Sequence, residues 1–401
     1  FHSPRLSLSN PQRKVVNALM NALNSNRLDQ ALLRYWMPAL IAGILALIAF
    51  VFIGQTPVPR ALGMAASITG MALMLRRFDP LLAILGSLSL AFSPAFWLQT
   101  GAGETTTAAL LGIGLLIGVG LIILLIWFAH VPPSLITLLI IFAAVIVSLL
   151  IGAPRSLRVT TLISTWLLYV LSDTVLTANP RPESGVVQQP DRQHLLSMLV
   201  LLTVGVVNDP LFILLAPATI LGIGLSGLKP PSWYWAALLA VIIIGVRGTI
   251  IQYVDTDWWL FPAQSAEALG LRVPYIISGG WREASRWLYL INLIGSQFSG
   301  IGLALAVLGL SRLSRWYPPL GVVSMVAFAS YALFGLVYYG NNSTILLLPM
   351  LIILIIWMTY AIYSLGQWLQ KSLSSVPKIQ WISSLLYMIL PLVLLGRAAG
   401  V

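Results

Sequence analysis

Apolar runs long enough to cross a membrane dominate the chain. About 17–25 residues cross roughly 30 Å of hydrocarbon. We place such runs at residues 38–54, 61–75, 80–98, 107–128, 134–152, 159–176, 195–226, 233–251, 289–310, 318–339, 343–365 and 382–396. Since backbone groups in lipid must pair within the protein, these eleven or twelve passes are predicted to be helices. The fold class is therefore all-α, a polytopic transmembrane helical bundle.

Composition supports this class and excludes several functions. Hydrophobic residues make up 59% of the chain and charged residues 8%, whereas a soluble domain carries about 25% charge. The net charge of +11 is explained by Lys and Arg at helix ends and lipid headgroups, so we expect the bilayer, not nucleic acid, as partner. No cysteine and only three histidines occur, which excludes thiol-ligated metals and disfavours electron carriers built on histidine pairs. We expect a multi-pass protein of the cytoplasmic (inner) membrane.

Two regions fall outside the apolar runs that form the transmembrane domain, residues 37–396. Residues 1–36 form an amphipathic N-terminal segment that either lies in the membrane interface or packs against another subunit or a soluble loop of the same protein. Residues 252–288 form a long loop with several tryptophans, which we expect to fold against the membrane surface. Because residue 1 is Phe, we expect the natural N-terminus to be processed or missing.

Basic residues in short loops suggest the orientation. Arg155 and Arg158 alternate consistently with Lys229 and the later Lys and Arg residues if all face the cytoplasm, which places residues 252–288 outside. One question stays open. Residues 195–226 either cross once with a kink or form two half-helices, and this choice sets the side of everything upstream.

Acids near membrane depth are candidate site residues because they are costly there. Glu104 follows Trp97, Gln99 and a Gly-rich break, and it either caps the next helix or acts as a base or cation ligand. Asp209, within an apolar stretch before Pro210, is either a site acid or the cap of a kink.

Arginines provide the candidate phosphate contacts. Arg247 either binds a lipid phosphate or snorkels to the interface. Arg282 and Arg286 are four residues apart, the spacing of a phosphate clamp on one helix face, or they pair with Glu283 and solvent. We expect no cofactor, although Asp255 and Asp257 offer one possibility for a divalent cation.

Several motifs, taken in order, resemble a bacterial membrane family with a GT-C-type glycosyltransferase fold, similar to protein O-mannosyltransferases. The resemblance covers residues 80–365. Its motifs are Ser93-Pro94-Ala95-Phe96-Trp97 with Glu104; Gly205, Asn208-Asp209 and Pro217; Arg247; Gly279-Gly280-Trp281-Arg282; Gln297-Phe298; and Tyr338-Tyr339 with Asn341 and Pro349.

The resemblance implies an activity and also has departures. It implies sugar transfer from a polyprenyl-phosphate donor to a hydroxyl at the external face, with Glu104 and Asp209 as pocket acids and Arg247, Arg282 and Arg286 as phosphate binders. The family usually has a histidine where this chain has Asp209, and the acid-bearing first external loop is not found. Either the chain begins inside that loop or the protein has lost it.

Three functions therefore stay open from the sequence. The first is a GT-C-like glycosyltransferase. The second is a catalytically silent structural subunit of a larger membrane complex, which implies other membrane subunits as partners. The third is a transporter, which broken helices at Pro210 and Pro217 would suit.

Overall fold

The computed structural model is all-helical in the part of the chain that it describes. The described residues are 35–101, 157–178, 192–254, 280–338, 343–373 and 380–400. Within them, seven helices are long and apolar enough to cross a membrane, and several shorter apolar helices accompany them. The predicted runs 107–128 and 134–152 and the N-terminal segment 1–34 lie outside the described residues.

In the described part of the chain the helices follow most of the predicted runs. The runs 80–98, 195–226 and 343–365 are each split, and the helix of run 289–310 begins at Ala284, inside the predicted loop 252–288. They are α1 Tyr35–Phe52, α2 Val58–Leu75, α3 Pro80–Ala91, α4 Pro94–Leu98, α5 Leu157–Ala178, α6 Arg192–Asn208, a 3₁₀ helix Pro210–Leu215, α7 Ala216–Leu225, α8 Ser232–Thr249, a π-helical turn Ile250–Val254, a 3₁₀ turn Gly280–Arg282, α9 Ala284–Trp316, α10 Pro318–Val337, α11 Ser343–Leu346, α12 Leu348–Ser372 and α13 Gln380–Ala399.

Parallel packing of α2 against α5 defines the two ends of the bundle. Near the middle of both helices, the indole of Trp166 donates to the carbonyl of Ala66 at 3.2 Å. At one end Arg77, just after α2, pairs with Asp173 near the end of α5. At the other end both helices begin next to the backbone around Gln99. We call these the Asp173 end and the Gln99 end.

Residues 195–226 form two antiparallel helices that both turn at the Gln99 end. Helix α6 ends at Asn208, whose side chain donates to Thr160 at 2.9 Å in the second turn of α5. Helix α7 then runs back, so that Gly222 packs against Leu171 near the Asp173 end. The break follows from Pro210, which has no N–H to continue a helix. This resolves the alternative that the sequence left open.

The two-helix hairpin corrects the grouping of basic residues. Lys229 follows α7 and therefore lies at the Asp173 end, together with Arg76 and Arg77. Arg158 lies at the opposite end, where it contacts the Gln99 carbonyl. Of the two alternatives left open, the single crossing would place Arg158 on the same side as Lys229. That alternative is wrong, because 195–226 returns the chain to the side from which it came.

Helices α9 to α13 form the second half of the bundle and keep the same two ends. The ring of Tyr317, between α9 and α10, lies 6.1 Å from that of Tyr360, and Tyr360 lies 5.1 Å from Phe78 at the Asp173 end. At the Gln99 end, Gln297 of α9 accepts a hydrogen bond from the backbone N–H of Ala95 at 2.7 Å. The aromatic contacts therefore place the Arg312 and Arg315 region with Lys229.

Helix α9 is longer than one membrane crossing and is bent. Its 33 residues would extend about 50 Å if straight, against roughly 30 Å of hydrocarbon. Ser299 adopts φ 66° and ψ 170° inside it, a backbone conformation that non-glycine residues rarely adopt. The bend separates the part before Ser299, which contacts α4, from the part that packs on α12.

Thiol labelling tests the two-ended arrangement, because the chain has no cysteine of its own. We expect Lys229→Cys and Lys371→Cys to react with an impermeant maleimide from one side of a sealed vesicle. Gln55→Cys and Ser285→Cys, both exposed positions at the Gln99 end, should react only from the other side. Labelling of positions 55 and 229 from the same side would contradict the hairpin at Pro210.

A close crossing of α9 and α12 depends on Gly309. A Cβ at this position of α9 would overlap the backbone carbonyl of Trp357 in α12. We expect Gly309→Ala to lower the free energy of unfolding by about 1–3 kcal/mol through overpacking, measured by thermal unfolding in detergent. Gly295→Ala is the matched control, since it lies in the same helix with open space around it. Equal effects of the two substitutions would contradict this crossing.

Candidate functional site

Trp97 lies on a short helix, α4, that is separated from the helix before it, and Gln99 caps the end of α4. The extended backbone of Ser93 and the ring of Pro94 end α3 and start α4. Trp97 is half-buried, with its ring centroid 5.7 Å from that of Phe50. Gln99 directly follows α4 and is only 4% exposed. The break thus delivers a buried amide to the end of the bundle.

One of the two polar atoms of the Gln99 side chain has a hydrogen-bond partner. Its side-chain Oε1 accepts from the Thr161 hydroxyl at 3.2 Å, in the first turns of α5. Its Nε2 is buried and has no hydrogen-bond partner among the described residues. A buried donor without a partner costs about 1–3 kcal/mol, so this amide is a candidate contact for a bound group.

Two arginines that sequence reasoning did not identify as site residues converge on the same backbone. Arg158 donates from Nε to the carbonyl of Gln99 at 2.6 Å. Arg60 donates from Nη1 to the carbonyls of Thr100 at 3.2 Å and Gly101 at 2.6 Å. The two guanidinium groups are close enough for their charges to interact. The only sequence signal was an arginine in the first turn of an apolar helix.

Asp209 contacts the same part of α5, but its hydrogen bonds stabilise the start of a helix. It accepts from the backbone N–H of Leu211 at 3.1 Å, as the N-cap of the 3₁₀ helix. Its other oxygen accepts from the Thr160 hydroxyl at 3.4 Å. Gln99 and Asp209 therefore meet on neighbouring residues, Thr161 and Thr160, although they are far apart in sequence.

The capping role of Asp209 is repeated elsewhere in the chain. Asp79 precedes Pro80 and accepts from the backbone N–H groups of Leu81 and Leu82 at 2.8 and 3.1 Å. Both acids thus start an Asp-Pro-Leu segment, where proline sets the first turn and the carboxylate accepts an N–H that the helix leaves unpaired. This parallel favours the cap among the alternatives for Asp209.

The structure separates the three arginines proposed from the sequence. Arg247 is exposed in the last turn of α8, next to Gly248, which packs against Pro210, so it lies near the Asp209 cap. Arg286 is 7% exposed and donates to the carbonyls at the end of α10. These acceptors are Gly335 at 2.7 Å, Leu336 at 2.9 Å and Tyr338 at 2.6 Å.

Arg282 and Arg286 do not share a helix face. Arg282 belongs to the 3₁₀ turn before α9 and is exposed, with its guanidinium 4.8 Å from the Trp281 ring centroid. Glu283 lies between the turn and α9 as the N-cap residue. The i, i+4 spacing therefore does not form a clamp, because the helix begins only at Ala284.

Other candidate residues lie outside the described residues. They are Glu104, Asp255 and Asp257, and also Tyr339 and Asn341 of the late motif. Among the residues that the structure does describe, no group of three or more His, Asp or Glu side chains could hold a metal ion.

A polar cluster at the Asp173 end was not anticipated. Asp173 pairs with Arg77 and lies 3.5 Å from the ring nitrogen of His194. Tyr35 and Tyr169 share a hydrogen bond of 3.0 Å beside it. Burial acts to lower the pKa of Arg77, but the Asp173 carboxylate outweighs burial and raises that pKa above its ordinary value. The cluster joins the ends of α1, α2, α5 and α6.

A cavity of about 230 Å³ also opens at the Asp173 end. Its lining includes Asp79, Tyr363, Gln367 and Trp381. The only acid among its lining residues, Asp79, is already engaged as the cap of α3. The polar convergence at Gln99 therefore remains the better candidate site.

Comparisons with protein-family models, with curated proteins and with solved structures found no match.

Substitutions at Asp209 separate a cap from a catalytic acid. We expect Asp209→Ala to lower the unfolding free energy by about 1 kcal/mol, the usual cost of losing an N-cap. Asp209→Asn should be nearly neutral, because asparagine caps equally well. Thermal unfolding in detergent measures both. The matched pair Asp79→Ala and Asp79→Asn should behave alike, and an Asn variant as unstable as the Ala variant would contradict the capping role.

Proposed function

We propose that this chain is a GT-C-like integral membrane protein that binds a polyprenyl-phosphate-linked sugar at the Gln99 end of its bundle. The observation that carries the proposal is the meeting of Gln99 and Asp209 on Thr161 and Thr160. Asp209 belongs to one motif of the family resemblance, and Gln99 lies within the span of another, between Trp97 and Glu104. The two meet where two further arginines converge. Trp97 and Arg247 lie at the same end.

The Gln99 end is proposed to face outward in the cytoplasmic membrane. Exposed Lys229, Arg312, Arg315 and Lys371 all lie in or beside the short loops of the Asp173 end, which the positive-inside tendency assigns to the cytoplasm. The other end also carries exposed arginines, namely Arg247, Arg282 and Arg397. Three further arginines there, Arg60, Arg158 and Arg286, are held by backbone carbonyls. Because these three arginines make specific contacts within the protein, their presence does not indicate that this end faces the cytoplasm.

The proposed chemistry is sugar transfer to a hydroxyl group. The acceptor oxygen bonds to the anomeric carbon as the bond to the lipid phosphate breaks, and the hydroxyl proton passes to a carboxylate base. The phosphate leaves with its negative charge, which nearby arginines stabilise. Because Asp209 serves as a cap, we assign the base to Glu104 and keep Asp209 as a residue that positions the site.

A second candidate is a catalytically silent subunit of a larger membrane complex. Two of the residues that the resemblance pointed to, Asp209 and Arg286, are engaged in bonds that stabilise helix ends. A scaffold needs those bonds but no reactive carboxylate. A transporter stays a third candidate on the helix break at Asp209-Pro210.

A transfer assay decides between the first two. Purified protein in vesicles is given a polyprenyl-phosphate mannose with radiolabelled sugar and a hydroxyl-bearing peptide acceptor. We expect transfer, a loss of about 10²–10⁴-fold in Glu104→Gln, as for removal of a general base, and near-normal rates in Asp209→Asn. Asp79→Asn, at the other end, is the control. No transfer by any variant, together with stable co-purifying membrane proteins, would favour the silent subunit.

A further inference from the structure

We infer that Arg60, Arg158 and the side-chain amide of Gln99 form a binding site for the phosphate group of a lipid. That the lipid is a polyprenyl lipid rests on the proposed function. That the bound group is a phosphate does not. It names residues beyond the arginines that the sequence had pointed to. We call these three side chains the Arg60–Arg158–Gln99 cluster.

The cluster holds more positive charge than its described surroundings balance. Both guanidinium groups are half-buried at the starts of apolar helices. In the described part of the chain, both contact carbonyl oxygens and neither contacts a carboxylate. Two like charges held together in a partly dry site repel each other, so an anion between them would stabilise the arrangement.

The donors that remain in the cluster fit an oxygen-rich anion. A guanidinium has five N–H groups in a planar fork, and the described bonds use only Nε of Arg158 and Nη1 of Arg60. The buried Nε2 of Gln99 adds a donor that has no partner among the described residues. Arginine forks bind phosphate and carboxylate groups bidentately, and phosphate has enough acceptor oxygens to meet two guanidinium groups and an amide at once.

The starts of two helices add to the positive electrostatic potential at the cluster. The parallel helices α2 and α5 both begin at this end, at Val58 and Leu157. Their N-terminal N–H groups and dipoles favour negative charge there. The two helix starts support the cluster and are not needed to define it.

The surroundings favour a lipid as the source of the phosphate. Phe52 is 77% exposed and Leu98 is 68% exposed. Leu98 directly precedes Gln99, and Phe52 lies two residues before Gly54, which packs near Trp97. Arginines at the starts of apolar helices lie at the level of lipid headgroups. An apolar chain attached to the phosphate would therefore run along the exposed side chains into the bilayer.

Binding of a polyprenyl monophosphate to the purified protein, followed by native mass spectrometry, tests the site. We expect Arg60→Gln and Arg158→Gln each to weaken binding about tenfold, as for loss of a hydrogen bond to a charged group, and the double variant to abolish it. Arg312→Gln, exposed at the Asp173 end, is the control and should bind normally. Thermal unfolding checks that each variant is folded, and Arg158→Lys should recover part of the affinity.

Ligand variants identify what is recognised. A polyprenol without phosphate should bind far more weakly than the monophosphate, and inorganic phosphate should compete only at much higher concentration. Equal affinity for inorganic phosphate would overturn the assignment to a lipid. Unchanged affinity in a folded double variant would overturn the site. Binding that appears only in Glu104→Gln would also overturn it, because the chain's own carboxylate would then be the anion.

The same variants separate this inference from the proposed function. Phosphate-lipid binding that depends on Arg60 and Arg158, without sugar transfer, would retain the site and reject the enzyme. Sugar transfer that is insensitive to both arginines would retain the enzyme and reject the site.

Discussion

The structure depends on one constraint of the bilayer, that a polar group removed from water must find its partner within the protein. The buried guanidinium of Arg286 meets it by binding the carbonyls that α10 leaves unpaired at its end. The N–H of Ala95, at the start of α4, meets it through the side chain of Gln297 on α9. Two breaks in the described bundle have such a partner: Gln297 at the start of α4, and Thr160 beside Asp209. Among the described residues, Gln99 Nε2 lacks a hydrogen-bond partner, as do the hydroxyls of Thr56 and Tyr234. The two arginines beside Gln99 are what make its amide point to a ligand.

The sequence predicts the helical bundle and most helix limits, because an apolar run of about 20 residues has few alternatives in a membrane. It does not decide residues 195–226, since a run of that length suits either one kinked helix or two short ones. The decision comes from tertiary contacts such as Gly222 against Leu171. The side of Arg158 depends on the same choice, because one crossing or two between Arg158 and Lys229 puts the two residues on the same side or on opposite sides. The helical nature of a segment is thus a local property, whereas its direction depends on every earlier turn.

The candidate site residues also divide into those that the sequence indicates and those that only the three-dimensional structure indicates. Gln99 and Asp209 were found from the sequence, because a polar residue within or beside an apolar run is unusual by itself. Arg60 and Arg158 were not found, because a single arginine at the start of an apolar helix is most simply explained by snorkelling. Only the three-dimensional convergence of both guanidinium groups on the backbone at Gln99 and Thr100 distinguishes them. For Asp209 the sequence offered both a site acid and a cap. The Asp-Pro-Leu segment that it shares with Asp79 is the sequence feature that favours the cap.

The hydrogen bond from Arg158 to the carbonyl of Gln99 brings the chain on either side of residues 102–156 together. A segment whose two attachment points adjoin at one end of a bundle is an insertion in the topological sense. Its removal leaves the direction of every other helix unchanged, since the chain would resume where it left off. The direction in which each later helix crosses the bundle therefore depends on these two attachment points and not on what lies between them. The hydrogen bond at Gln99 holds the two points together.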